Sequence, residues 1–253
     1  MSDHCAQIPS LFTIFKTFEI LLLGMPMMFA RDIAKPWIRN ESAVEKRLRA
    51  RKILSRLAKA YPDAKIALKF GNPMQLLAAV ILSAQCTDKK VNEVTRTLFK
   101  KYRTVSDFAK ADLKTFANEI HQTGFYRAKA LAIITSAKII RDEFAGKVPK
   151  TMVEILRLRG VARKTANVVL GNAYGVVEGI AVDTHVRRLS QRMGFSTHDD
   201  PVKIEQDLMK LFPKEDWFRF TYTLIDHGRA ICMARGRTCS LCPLKDVCPA
   251  SLV

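Results

Sequence analysis

Apolar residues recur at three- and four-residue intervals along most of the chain, with no sustained two-residue alternation, so the pattern predicts helices and not strands. Between residues 42 and 60, Val44, Leu48, Leu54, Leu57 and Ala58 form an apolar stripe on a basic background, the mark of an amphipathic surface helix. Asn72-Pro73 has the form of a cap followed by a first-turn proline. The run that follows, Met74 to Ala84, is apolar all round, which predicts a centrally buried helix. Thr87 or Asp88 can cap the next helix, with Val91, Val94, Leu98 and Tyr102 on one face. Leu113, Phe116 and Ile120 fall together ahead of Gly124, and Ala130, Ile133, Ala137 and Ile140 ahead of Gly146. Thr151 can cap a short helix to Leu158, and another covers Lys164 to Tyr174. Asp183 can cap residues 184–193, with Val186, Leu189 and Met193 inward; Asp200-Pro201 opens a further helix, and Trp217 to Ala230 form the last. The sum is an all-α globule of about ten helices with short connections.

Composition narrows what such a globule does. The chain has 253 residues, 48% of them hydrophobic, enough for a proper core and too many for a disordered chain. Its 42 Lys and Arg against 24 Asp and Glu leave a formal net charge of +18, which argues against an acidic partner-binding module and for a polyanionic partner, first of all nucleic acid. Residues 11–30 form one membrane-like stretch, but Lys16 and Glu19 interrupt it, and the run after Glu19 is too short to span a bilayer. No secretory signal stands there either, so residues 1–40 are expected to be an extension outside the fold, with no stable membrane insertion.

Cysteine usage points to a metal. Cys5 and Cys86 stand apart, whereas Cys232, Cys239, Cys242 and Cys248 crowd the C-terminal end as C-x6-C-x2-C-x5-C. A terminal group of four in a long basic chain reads as a metal site in a reducing compartment rather than a disulfide framework. Four thiolates serve either a tetrahedral zinc or a 4Fe–4S cluster. With one short knuckle and a single wrapping loop, the spacing favours the cluster. It lacks the C-x2-C-x2-C run of ferredoxins, which speaks against an electron carrier. Arg235, Arg237 and Lys245 share the loop and either balance an anionic cluster or face phosphates.

The segment Leu158-Arg159-Gly160-Val161-Ala162-Arg163-Lys164-Thr165-Ala166 joins two helices by a tight turn. Such a turn at a helix N-terminus exposes backbone N–H groups that bind phosphate without reading sequence, unless it is an ordinary turn with solvated charges. Lys164 sits where the helix dipole disfavours a cation, a field that helps free its amine as a nucleophile. Asp183, in Val182-Asp183-Thr184-His185, is either a plain N-cap or a working carboxylate.

With these segments in order, the chain resembles the endonuclease III family of bifunctional DNA glycosylases, which carry a helix-hairpin-helix motif and a 4Fe–4S cluster. The likeness covers about residues 42–250. It rests on Leu82-Ser83-Ala84-Gln85-Cys86-Thr87-Asp88, on the Gly160 hairpin with Arg163-Lys164-Thr165-Ala166-Asn167-Val168-Val169, on Val182-Asp183-Thr184-His185 and on the four-cysteine loop. The resemblance implies two helical domains flanking a DNA-binding cleft. One is a six-helix bundle with the hairpin, residues 66–177. The other, residues 41–65 with 178–253, holds the cluster loop. It implies Lys164 as nucleophile and Asp183 as catalytic aspartate. Gln85 fills the gap left by an extruded base, and Phe125 stands where the family usually has a wedging leucine. DNA contacts come from Gly160, Ala162, Arg163, Arg235 and Arg237, and the ligands of a 4Fe–4S cluster are Cys232, Cys239, Cys242 and Cys248. The partner is double-stranded DNA with damaged pyrimidines or abasic sites, met by a monomeric, cytoplasmic, nucleoid-associated enzyme. Two positions depart from the family's L-P-G-V-G hairpin: Arg159 replaces the proline, and Ala162 the second glycine, at a cost of about 1 kcal/mol if that residue needs a positive φ. The same resemblance leaves a monofunctional adenine glycosylase and a non-catalytic iron–sulfur DNA-binding protein as alternatives. Lys164 argues against the first, and its pairing with Asp183 against the second.

Overall fold

The computed structural model describes residues 35–253, and within them every regular element is helical. The membrane-like stretch at residues 11–30 and Cys5 lie outside the described residues. Eleven α-helices follow in chain order among those residues: α1 (Ala43–Ala60), α2 (Pro73–Leu82), α3 (Asp88–Lys101), α4 (Val105–Ala109), α5 (Leu113–Glu119), α6 (Tyr126–Glu143), α7 (Met152–Ile155), α8 (Arg163–Tyr174), α9 (Thr184–Arg192), α10 (Pro201–Leu211) and α11 (Trp217–Ala230).

Side-chain caps set most of the starts. Ser42, Asn72, Thr87, Thr104, Asp112, Thr151, Asp183 and Asp200 each accept a bond from a first-turn backbone N–H, taking up a donor that has no partner within the helix. Asn72 with Pro73 opens α2 as expected, and all nine residues Met74–Leu82 are buried. Helix α2 is the axis of a first core running from Leu68 to Leu170, with α3, α6 and α8 packed on it.

A second core is assembled from distant parts of the chain. Ala50, Ile53, Leu54 and Leu57 of α1 meet Val186 and Leu189 of α9, Ile204 and Leu208 of α10, Phe220 and Leu224 of α11, and Leu244 and Val247 near the C-terminus. Polar contacts join the two cores. Asp88 at the start of α3 accepts from Arg229 of α11 at 2.6 Å, and Asn172 of α8 donates to Tyr222 of α11 at 2.6 Å. Buried Glu205 of α10 accepts from Arg163 and Asn167 of α8 at 2.6 and 2.9 Å. Gly171 of α8 lets the backbone approach Phe218 of α11, because a Cβ there would lie 2.7 Å from the ring.

Three details differ from the sequence expectation. The buried stripe of α1 is Arg49, Ala50, Ile53, Leu54 and Leu57, while Val44 and Leu48 are exposed, so the stripe is rotated from the one expected. Arg49 belongs to it because Glu41 takes its guanidinium by two bonds, at 2.6 and 2.8 Å. Helix α4 was not expected; a five-residue helix is too short to display a period. Residues 35–40, expected with the extension outside the fold, lie against it: Lys35 N–H donates to the Pro249 carbonyl at 2.8 Å, and the Arg49 guanidinium lies 5.5 Å from the Trp37 ring centroid.

Candidate DNA-facing site and cysteine loop

The turn before α8 is built around Gly160. Its φ is +76°, and a Cβ would lie 2.9 Å from the Ala132 Cβ, so only glycine fits without displacing α6. The Arg159 carbonyl accepts a bond from buried Ser136 at 2.9 Å, which anchors the turn from below. Ala162 caps α8 at φ −95° and ψ 171°, an ordinary extended conformation. The expected cost of alanine in place of glycine is therefore absent. Its methyl also accepts nothing, so the first-turn N–H groups of α8 stay uncapped.

Lys164 is the second residue of α8 and is exposed; among the described residues it has no hydrogen-bond or ion-pair partner. Its neighbour Arg163 is held differently, half-buried with Nε on the Glu205 carboxylate. Asp183 is half-buried, and its Oδ1 accepts the Val186 N–H at 2.8 Å, so the capping role is real. Its charge reaches His185, Arg188 and Tyr222, which places it among polar groups where the two cores meet. Burial keeps His185 below its usual range and pushes Tyr222 up to about 12.

Gln85 and Phe125 stand at two exposed tips with left-handed backbones, φ +51° and +47°. Of the described non-glycine residues, only Ala145 shares that property. A non-glycine side chain held there is a strain that surrounding structure must enforce, and such strain gathers at functional sites. Phe125 is 66% exposed, an open aromatic face on a basic protein.

The four C-terminal cysteines line one small cavity beneath α9 and α11, together with Arg192, His227 and Arg237. Among the described residues, no three His, Cys, Asp or Glu side chains converge tightly enough to hold a single metal ion. Donors already face the sulfurs: Arg192 Nη1 lies 3.2 Å from Cys232 Sγ, and the Leu244 N–H lies 3.4 Å from Cys242 Sγ. Burial pushes the Cys248 thiol up to about 11 and raises Cys242 as well, so bare thiolates are disfavoured in the cavity without a cationic centre among them. Arg192 also donates to the Met233 and Ala234 carbonyls at 2.8 and 3.2 Å, tying α9 to the loop. Arg235 on that loop is exposed, while Arg237 turns toward the cysteines.

Sequence reasoning missed three buried charges that organise these parts: Arg49, Glu205 and Lys129. Each lies in phase with an apolar stripe, Arg49 with Ile53 and Leu57, Glu205 with Leu208, and Lys129 with Ile133. A charge at a stripe position was the available signal.

The family model described as "HhH-GPD superfamily base excision DNA repair protein" matches residues 78–214. Endonuclease III of Synechocystis sp. is 50% identical over 206 residues, 81% of this chain and 94% of that protein. Endonuclease III of Bacillus subtilis is 43% identical over 77% of this chain and 89% of that protein. A solved structure of a trapped endonuclease III–DNA covalent intermediate is similar with a TM-score of 0.77 and 44% identity, over 81% of this chain and 96% of that one.

Proposed function

Since the chain belongs to the endonuclease III family within the HhH-GPD superfamily of base excision DNA repair proteins, we propose that it is a bifunctional DNA glycosylase and abasic-site lyase acting on damaged pyrimidines in duplex DNA. The observation that carries the chemistry is Lys164, partnerless in the open first turn of α8 beside the Gly160 turn.

The two cores form the two domains, residues 66–177 and residues 41–65 with 178–253, with the DNA-binding cleft between them. The uncapped N-terminus of α8 binds one phosphate through backbone N–H groups, with Gly160 allowing close approach. Arg235 adds charge from the cysteine loop. A damaged pyrimidine leaves the stack, which costs least where pairing is already weak. Gln85 fills the gap it leaves, and Phe125 wedges between neighbouring bases.

The neutral amine of Lys164 attacks C1′ of the sugar, and the C1′–N bond breaks with its electron pair leaving on the base. The sugar ring opens to an imine between Lys164 and C1′. Loss of a C2′ proton then expels the 3′ phosphate by β-elimination, and water releases the lysine. Asp183 stabilises the positive charge that develops on the sugar and relays protons.

Cys232, Cys239, Cys242 and Cys248 would hold a 4Fe–4S cluster, a reading supported by the four cysteines lining one cavity. When bound, such a cluster would supply a centre around which the basic loop is held. No helix of the described residues is long and apolar enough to cross a membrane. The enzyme works as a monomer on nucleoid DNA in the cytoplasm.

Borohydride reduction of the imine is the direct test. Wild-type protein mixed with abasic-site duplex should give a covalent protein–DNA band, and Lys164→Ala should give none while still binding the duplex. A Lys164→Ala protein that cross-links normally would refute the assignment.

A further inference from the structure

We propose that Lys129 is a positioning residue for base extrusion: its buried ammonium ties together the two loops that carry Gln85 and Phe125. This rests on reading those two residues as DNA-facing.

Lys129 lies in the first turns of α6 and is 5% exposed. Its Nζ donates to the Leu82 carbonyl at 2.8 Å and to the Thr123 carbonyl at 2.6 Å. Leu82 ends α2, three residues before Gln85. Thr123 ends a short 3-10 turn, two residues before Phe125. One cation thus fixes the roots of two loops far apart in sequence, and at both tips the backbone is left-handed.

Packing alone gives no reason for a lysine here. Among the described residues no carboxylate pairs with it, it sits at the helix end where the dipole repels a cation, and burial lowers its pKa. A methionine or leucine would fill a core position at less cost. What a lysine does, and an apolar residue cannot, is satisfy two helix-end carbonyls from different loops at once. The two tips are then held at a fixed spacing before DNA arrives. Preset spacing matters for catalysis because misplacement by about 1 Å can lower a rate by about a hundredfold.

The experiment compares two substrates with Lys129→Met. On duplex containing a damaged pyrimidine, a base must be extruded; on duplex with a preformed abasic site, no base resists extrusion. Lys129→Met should lower single-turnover base excision by about tenfold or more while changing abasic-site cleavage by less than about threefold. In a Gln85→Ala/Phe125→Ala background it should add nothing to the excision defect. Lys129→Gln, whose amide donates two bonds, should recover part of the loss, and Lys129→Leu stands in if the methionine variant folds poorly. Equal loss on both substrates, unchanged excision, or full additivity with the double variant would overturn the proposal. If Gln85→Ala and Phe125→Ala themselves leave excision intact, the DNA-facing reading fails instead.

Discussion

Asp183 shows how one side chain can answer two questions at once. Its Oδ1 closes the first turn of α9, and the same carboxylate is the proposed partner of Lys164. The two duties separate by substitution, because asparagine caps a helix about as well as aspartate while alanine does not. Asp183→Asn should keep its thermal unfolding midpoint and lose base excision. Asp183→Ala should lose both activity and about 1 kcal/mol of stability. Thermal melts run beside single-turnover excision check this; an asparagine variant that is active but unstable would leave the carboxylate only a cap. At this scale the sequence was legible where local chemistry decides: a cap, a turn glycine, a four-cysteine spacing. It gave a charge out of place on an apolar stripe at Lys129 and Glu205, but not their distant partners, Leu82 and Asn167, which lie 47 and 38 residues away. A local pattern carries no record of a partner that only the finished fold supplies.

At the scale of elements, the N-terminus of α8 trades stability for openness. Most helices here start with a side chain on a first-turn N–H, but α8 starts with Ala162 and leaves those donors open, at the proposed phosphate site. Ala162→Asp should add a cap and raise stability by about 1 kcal/mol. The new carboxylate would also occupy the phosphate site and repel the backbone, so duplex affinity should fall. Denaturant melts and fluorescence anisotropy with duplex DNA measure the two effects; tighter DNA binding would contradict the phosphate role. Helix positions were readable because caps and apolar periods are short-range, as at Asn72-Pro73. The face that α1 buries was not, because Val44 and Leu48 continue the period as well as Ile53 does. Burial of that face is decided by α10 and α11, which pack on it from more than 140 residues away.

At the scale of the molecule, the cysteine loop closes the second core. Leu244 and Val247 belong to that core, and Cys232, Cys242 and Cys248 pack against it. Both tryptophans report on it: Trp217 lies against it and donates to the Phe212 carbonyl at 2.8 Å, and Trp37 lies over Arg49. Purified protein should contain about four iron atoms per chain and absorb broadly in the visible. Stripping the iron should shift tryptophan fluorescence while the helical circular dichroism from the first core persists. Zinc in place of iron, or no optical change on metal loss, would count against the cluster. No linker or change of composition marks residues 60–66 or 177–180, so the sequence pattern itself does not announce two cores.

The interleaving of the second core has a consequence for synthesis. The first core is one continuous stretch, complete when Leu170 has left the ribosome. Helix α1 emerges before it, yet its partners on α9, α10 and α11 and the loop at Leu244 and Val247 come last. At about 5–20 residues per second, α1 waits for roughly ten to forty seconds with its apolar stripe uncovered. During translation the nascent chain is therefore a finished bundle trailing an orphan helix. That interval is when chaperones have most reason to hold the protein, and the proposed cluster would be built only after it ends.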